Sequence, residues 1–249
     1  MVEREARIYR RLWRGDAFSS FLLPALFLGA MGLGLGGLVD ERAGSVDGLS
    51  YLVFVTPGLL AATCMQMAAV DALWPTMAGF KWMRHFHAMV AGPLDPADVL
   101  GGQLVWEAIR TSLQAVVFLV VAAVLGGVPS WWGVVAWPAA VLTAVAVHAP
   151  LAAFAATREH DQSFFVVVRL AIQPLFLFSG TFFPISQLPD WLQVLAVLSP
   201  LWHGVELCRA ATTGALDAGA MAGHVAYLVT LLAIGWWCGT RTFARRLAP

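Results

Sequence analysis

Three charged residues lie inside segments that are otherwise apolar enough to cross a membrane. Glu107 and Arg110 stand one helical turn apart in one segment, and Arg169 stands in another. Counted from the predicted segment ends, they lie about 5, 8 and 6 residues in, or roughly 8–12 Å deep at 1.5 Å per residue. A lone charge at that depth costs several kcal/mol, so partners are expected. We predict that Glu107 pairs with Arg110 through i,i+3 spacing or with Arg169 across two spans, and that Asp71 is interfacial.

This intramembrane charge cluster has three interpretations. The first is a structural clamp between two spans. The second is a role in substrate contact or gating, and the third is snorkelling of the arginines to the membrane surface.

Enzymatic chemistry finds little support in the remaining polar residues. Ser179 with His203 or His224 lacks the strained glycine-flanked context that a serine nucleophile needs, and small residues in spans usually permit close helix packing. The candidate metal ligands are His85, His87, His160 and Asp161. The spacing of His85 and His87 does not place both rings on one helical face, which argues against a metal site. A solvated loop explains the carboxylates Asp40, Glu41 and Asp47. We predict no catalytic residue, cofactor or metal site in this chain.

Composition determines the protein class. Hydrophobic residues make up 59% of the 249-residue chain and charged residues 12%, about half the charged share of a soluble domain. So few charges could not cover the surface of a soluble protein. The formal net charge is zero, so no overall field attracts nucleic acid. The chain is predicted to be an all-α polytopic membrane protein with a single domain over residues 1–249.

Six spans are predicted from apolar runs long enough for a bilayer. They are residues 21–39, 51–74, 102–125, 134–157, 163–183 and 224–240. Residues 1–19 are amphipathic and arginine-rich, which predicts a helix lying in the membrane interface.

The basic residues predict the orientation. With the N-terminus inside, the cytoplasmic segments hold the N-terminal arginines and then Lys81, Arg84, Arg158, Arg241, Arg245 and Arg246. The opposite side keeps Arg42 and Arg209. Positive charge near span ends stays on the cytoplasmic side, so both termini are predicted to be cytoplasmic.

The longest predicted cytoplasmic segment is 75–101. Its residues Phe80, Met83, His87 and Val90 fall at helical spacing on one face, with Lys81 and Arg84 elsewhere around the helix. Gly92-Pro93 should stop this helix, and Asp95-Pro96 predicts the N-cap and first residue of the next one. The segment is either a connector resting on the membrane or a short helix that docks on a partner protein.

Residues 184–210 are predicted to enter the membrane without crossing it. The apolar piece between Pro189 and Pro200 is about ten residues, roughly half of a span, and prolines bound it on both sides. We predict two short re-entrant helices. Trp191, Leu195 and Leu198 should face inward or toward lipid, whereas polar side chains meet water, namely Gln187, Asp190 and Gln193.

The stretch LFLFSGTFFPISQLPDWLQ, followed by LSPLWHGVELCRA, resembles the C-terminal signature of ABC-2-type exporter permeases. The nearest branches export nodulation factors (lipo-oligosaccharides) and daunorubicin-type drugs. The segment GPLDPADVLGGQL is similar to the family pattern after the cytoplasmic helix, with Gly92 in place of the usual threonine and Gln103 near the usual lysine. The resemblance covers nearly the full length.

This resemblance implies a permease of an ATP-driven exporter in the cytoplasmic (inner) membrane. Two permease chains, forming a homodimer, would work with two ATP-binding subunits that hold ATP and Mg²⁺, because this chain has no phosphate-binding loop motif. The implied ATPase-coupling residues are Phe80, Lys81, Met83, Arg84, His87 and Val90. The implied outer gate comprises Pro184, Pro189, Trp191, Leu195, Pro200, Trp202 and His203.

The substrate would be an amphiphile: a lipid-linked saccharide, a glycolipid or a hydrophobic drug. The alternatives are a secondary transporter that works alone and a non-transporting membrane scaffold or enzyme. A secondary transporter would often show inverted repeats or paired broken helices, and neither is evident in the sequence.

Overall fold

Helices form most of the chain, as its long apolar runs predict. The computed structural model describes residues 1–37, 41, 45–46 and 48–248, and for residues 12–24, 31, 33 and 35 it describes the backbone. The helices are α1 (Val2–Phe27, continuing as the π-helical segment Leu28–Leu35), α2 (Tyr51–Met77, continuing as the π-helical segment Ala78–Trp82), α3 (His85–Val90), α4 (Pro96–Val124), α5 (Ala136–Ala155), α6 (Gln162–Phe178, with a π-helical segment at Val168–Ile172), α7 (Asp190–Val197), α8 (Pro200–Thr213) and α9 (Ala218–Leu247). The all-α prediction is confirmed.

Within the described residues, four helices are long and apolar enough to cross a membrane. They are Tyr51–Trp82, Pro96–Val124, Trp131–Ala155 and Ala218–Leu247. Each contains most of one predicted span and extends beyond at least one of its predicted ends.

Helix α6 is shorter than its predicted span. It ends at Phe178, and Gly180 follows with a φ of +79°, a backbone conformation that stops the helix and favours glycine. At 1.5 Å per residue α6 is about 25 Å long, against about 30 Å for the hydrocarbon core. The count of six spans therefore stays a prediction.

The N-terminal region differs from its prediction in one respect. Residues 2–27 form one continuous helix instead of an interfacial helix over 1–19 followed by a separate span, because the serine pair before residue 21 lowers helix propensity only slightly. The predicted end of the first span at 38–39, together with Asp40, Arg42 and Asp47, lies outside the described residues.

Helices α2 and α5 form the centre of the bundle. They pack against each other, α4 and α9 pack on α5, and α8 packs on both α2 and α5. Met1, Phe86, Phe243 and Leu247 share one apolar cluster, so both termini lie at one end of the bundle, here named the basal end. Ser130, Gly180 and Arg209 lie at the other end, the distal end, where Arg209 donates to the Gly180 carbonyl at 2.6 Å.

Small residues bring the helices close together. A methyl group on Gly235 of α9 would lie 2.6 Å from Cδ of Pro150 in α5, and one on Gly204 of α8 would lie 2.2 Å from Oγ1 of Thr143 in α5. Lipid tails are as apolar as the helix surfaces, so close van der Waals contact must drive helix association in a membrane. These glycines allow that contact.

We predict that Gly235→Ala destabilises the protein by about 1–3 kcal/mol, because the added methyl group overlaps the Pro150 ring. Gly223→Ala on the same helix is the matched control, since no atom lies within 4 Å of its added methyl group. Thermal unfolding in one detergent checks both variants. Equal melting temperatures for the two would contradict this description of the α5–α9 contact.

Candidate functional site

A cavity of about 440 Å³ lies at the basal end, between α1, α2, α3, α4 and α5. Its volume falls in the range of small-ligand sites. Apolar and aromatic side chains form its walls, namely Met1, Ile8, Trp74, Trp82, Met83, Phe86 and Trp106. Its polar floor consists of Asp71, Gln103, Glu107, Arg110 and His148. The combination of apolar walls and a polar floor suits an amphiphilic molecule.

Glu107 is the most deeply buried carboxyl group of the polar floor, with 2% of its surface exposed. Its Oε1 accepts a hydrogen bond from the Thr111 hydroxyl at 2.9 Å, and its Oε2 lies 3.6 Å from Nδ1 of His148. Among the described residues, Glu107 therefore forms no ion pair with Arg110 or Arg169, the two partners predicted for it. Thr111 supplies the hydrogen bond because it lies one turn further along α4, on the same face.

Arg110 pairs with Asp71 of α2, at 2.5 Å between Nη1 and Oδ2. Asp71 is thus part of the polar floor and joins α2 to α4, whereas the sequence had suggested an interfacial position. Arg169 takes no part in this cluster: it is exposed on α6, roughly 140° around the helix from the buried Phe164 at 100° per residue. The ion pair connects α2 and α4, and no ion pair joins α4 to α6 in the part of the chain that the structure describes.

Two further polar residues of the floor were not predicted from the sequence. The amide nitrogen of Gln103 donates to Thr76 Oγ1 at 3.0 Å, but Gln103 Oε1 is buried without a hydrogen-bond partner among the described residues. Both ring nitrogens of His148 also lack such a partner there, although only 3% of this side chain is exposed. Buried polar atoms of this kind are uncommon in folded proteins. Here they line a cavity that a ligand could enter.

A sequence signal for these residues exists. Gln103, Glu107, Arg110 and Gln114 are spaced so that polar residues recur on one face of an otherwise apolar helix. His148 lies in the middle of an apolar run on α5. Polar residues inside spans mark functional sites often enough to be examined as a set.

The N-terminal helix closes one side of the cavity. Arg4 pairs with Glu5, and its Nη1 lies 3.3 Å from Nε2 of His85 at the start of α3. Burial and, to a smaller extent, the Arg4 guanidinium lower the pKa of His85 to about 4. His85 is therefore neutral at pH 7 and can accept the hydrogen bond from Arg4.

The predicted coupling residues divide into exposed and buried groups. Lys81, Met83, Arg84 and His87 are exposed and, with Trp82, form a surface here named the basal patch. Phe80 is 3% exposed and packs edge-on against Phe243 of α9, at 4.8 Å between ring centroids. The prediction that Phe80 faces a partner is wrong, because α9 of the same chain covers it. Val90 is partly buried against the same cluster.

Arg246 ties the basal patch to the ends of two long helices. Its Nη1 donates to the carbonyl oxygens of Ala156 at 2.8 Å and Arg158 at 2.6 Å, at the end of α5. Its guanidinium also lies 4.9 Å from the centroid of the Phe80 ring. Cations favour the C-terminal end of a helix, where carbonyls lack intrahelical partners. Arg246 of α9 thus connects Phe80, next to the basal patch in sequence, to the end of α5.

The predicted N-cap after the patch is confirmed. Asp95 and Asp98 form a reciprocal capping box, with the Asp95 backbone N–H donating to Asp98 at 2.9 Å, and Pro96 is the first residue of α4. The carboxylates satisfy N–H groups that the first turn leaves free.

The predicted outer segment contains two short helices. Trp191 and Leu195 of α7 and Leu198 directly after it leave 65%, 55% and 61% of their surfaces exposed, so this chain does not bury them. Asp190 is exposed as predicted, whereas Gln193 donates to the Leu188 carbonyl at 2.8 Å. Within the segment, Pro184 is partly buried, Pro189 is exposed, and Pro200 begins α8.

The start of α8 is tied to its neighbours. Ser199 accepts from the Leu201 N–H at 3.1 Å and shares a 2.9 Å hydrogen bond with Ser179. His203 Nδ1 lies 2.8 Å from His224 Nδ1, and the His203 ring stacks on Tyr227 at 3.8 Å between centroids. Trp202 packs beside both histidines. The two predicted gate residues Trp202 and His203 thus hold α8 against α9.

We predict that Asp71→Asn costs about 1–3 kcal/mol of stability, less than the ~3–5 kcal/mol of a fully buried pair because both side chains are partly exposed. Glu107→Gln should cost less, since its amide oxygen can still accept from Thr111. Adding Arg110→Gln to Asp71→Asn should restore part of the loss. Thermal unfolding of the four proteins tests this, and a larger loss for Glu107→Gln than for Asp71→Asn would refute the assignment of the pair.

Comparison with known proteins identifies the family of the chain. The family model described as ABC-2 type transporter matches residues 1–212. The chain is 32% identical over 243 residues to Nodulation protein J of Sinorhizobium fredii (strain NBRC 101917 / NGR234), covering 94% of this chain and 89% of that protein. It is 33% identical over 243 residues to Nodulation protein J of Bradyrhizobium diazoefficiens, with the same coverage. It is also 25% identical over 221 residues to the inner membrane transport permease YadH of Escherichia coli (strain K12), covering 86% of this chain and 82% of that protein. The chain belongs to the ABC-2 type transporter family.

Proposed function

We propose that this permease exports an amphiphile across the inner membrane, as one of two copies driven by separate ATP-binding subunits. The observation that carries the substrate class is the cavity at the basal end, where apolar walls meet a polar floor. A lipid-linked saccharide, a glycolipid and a hydrophobic drug all combine the same two kinds of surface. The likeness to two Nodulation J proteins and to a transport permease supports export.

The basal end faces the cytoplasm in this proposal. Arginines and lysines of the described residues concentrate there, including Lys81, Arg84, Arg245 and Arg246, whereas Arg209 lies at the distal end. Positive charge near the ends of spans is retained on the cytoplasmic side. The cavity would then receive its ligand from the cytoplasmic leaflet.

The basal patch is the proposed contact with the ATP-binding subunit. Met83 is 67% exposed and Trp82 is 56% exposed, and both are flanked by the cations Lys81 and Arg84. Exposed apolar residues ringed by charge are typical of docking surfaces. Phe80 and Arg246 lie directly beneath the patch and would pass its movement to α5 and α9.

The outer segment remains the proposed exit gate. Its exposed apolar side chains Trp191, Leu195 and Leu198 would contact lipid or a second copy of the chain. The contacts of His203 with His224 and Tyr227 would hold α8 closed against α9.

We expect the double variant Met83→Glu, Arg84→Glu to lose at least about tenfold of the ATP-binding subunit that co-purifies with the permease. Loss of one well-packed anchor costs ~1–2 kcal/mol, and reversal of a neighbouring charge adds to it. Leu216→Glu is the matched control, because Leu216 is also exposed, at 39%, but precedes α9 at the distal end. Undiminished co-purification of the double variant, with normal insertion of the permease, would contradict docking at this patch.

A further inference from the structure

We infer that the polar floor selects an amphiphile whose headgroup donates hydrogen bonds through hydroxyl or N–H groups, and that it discriminates against anionic heads. The inference rests on the proposed export of an amphiphile and names the headgroup chemistry that the cavity accepts. Two sources share this chemistry: a glycosyl head, rich in hydroxyls, and a primary ammonium head.

The first support is a pair of acceptor oxygens in the cavity lining, on Gln103 and Glu107. Gln103 Oε1 is buried without a partner among the described residues. Glu107 receives a hydrogen bond from Thr111, while its second oxygen lies 3.6 Å from His148, which is too long for a hydrogen bond. A buried acceptor left unpaired is energetically unfavourable, because it has lost its hydrogen bonds to water. A ligand that brings donors to these oxygens would recover that free energy.

The second support is the balance of charge around the cavity. Its described lining contains two arginines, Arg4 and Arg110. Arg4 lies against Glu5 and Arg110 against Asp71. Each guanidinium group of the described lining thus already has a carboxylate partner, which an anionic head would have to displace.

The third support is the aromatic wall. Trp74, Trp82 and Trp106 line the cavity above the floor, and Trp106 is held edge-on by Tyr9 at 5.8 Å between ring centroids. Indole faces contact the apolar face of a sugar ring and also attract cations. Aromatic contact alone would thus accept a quaternary ammonium as readily as a primary one. Only the acceptors of the floor distinguish them, because a quaternary ammonium has no N–H to donate.

Photolabelling of the full-length permease in phosphatidylcholine nanodiscs tests the inference. The probes are a dodecyl glucoside and a dodecyl primary amine, each carrying a diazirine in the alkyl chain, and mass spectrometry locates the label. Competitors have the same dodecyl chain with glucoside, primary ammonium, trimethylammonium or sulfate heads. We expect labelling of the peptides that contain Trp74–Phe86 or Trp106. The glucoside or the primary amine should halve this labelling at a concentration at least about fivefold below that needed with the trimethylammonium or the sulfate head. A fivefold difference corresponds to roughly one hydrogen bond.

If the glucoside competes more strongly than the primary amine, the preferred headgroup is a glycosyl group; if the primary amine competes more strongly, it is a primary ammonium group. Equal competition by trimethylammonium would show that charge and aromatic contact suffice, and would overturn the inference. Equal competition by sulfate, or no label in the cavity peptides with either probe, would overturn it as well.

A variant tests the acceptor directly. Gln103→Met keeps the side-chain length and removes the unpaired oxygen, so the advantage of the preferred head should fall about fivefold. Gln114→Met is the matched control, since Gln114 lies three turns further along α4 and outside this cavity. An unchanged preference in Gln103→Met would refute the role of this residue. The competition experiment on the parent protein tests the headgroup preference even if this variant does not fold.

This labelling requires neither ATP nor the partner subunit. Failure of the permease to bind an ATP-binding subunit would therefore count against the proposed function and leave the headgroup preference to be judged separately.

Discussion

The pairing of charge inside an apolar bundle is the constraint on which this structure depends. A chain with 12% charged residues can place few of them within a membrane, because each unpaired charge there costs several kcal/mol. The ion pair of Asp71 and Arg110 meets this constraint by joining α2 to α4. Around that pair, Gln103, Glu107 and His148 gather into one polar floor at the depth where α2, α4 and α5 approach each other. The site is thus a consequence of where the helices can bury polar groups.

The same helices connect the cavity to the surface proposed for ATPase docking. The π-helical continuation of α2 carries Trp82 into the cavity wall and Phe80 into the cluster with Phe86 and Phe243. Arg246 then joins Phe80 to the last carbonyls of α5, and α5 carries His148 of the floor. The proposed docking at the basal patch and occupancy of the cavity would therefore act on shared helices, which would give the two sites a physical route for coupling.

Much of this fold could be predicted from local sequence. Apolar runs gave the positions of the four long helices, and Asp95-Pro96 gave the start of α4, because a cap depends on neighbouring residues. Phe80 was assigned to a docking face because helical spacing identifies an apolar face without telling what covers it; here α9, from the far end of the sequence, does. The partner of Arg110 also depends on tertiary structure. Spacing along one helix suggests Glu107, three residues away, whereas the observed partner is Asp71 on another helix. Gln103 and His148 are single polar residues in apolar runs, and only the fold brings them together.

If the permease exports an amphiphile as proposed, a headgroup bound at the polar floor should stimulate an ATP-binding subunit docked at the basal patch. This expectation is tested most directly by the ATPase activity of the permease–ATPase complex in nanodiscs, measured against the concentration of the preferred dodecyl amphiphile. We expect stimulation, with the half-stimulating concentration raised about fivefold in Gln103→Met and unchanged in Gln114→Met. The same half-stimulating concentration in both variants, or equal stimulation by the dodecyl sulfate, would contradict it.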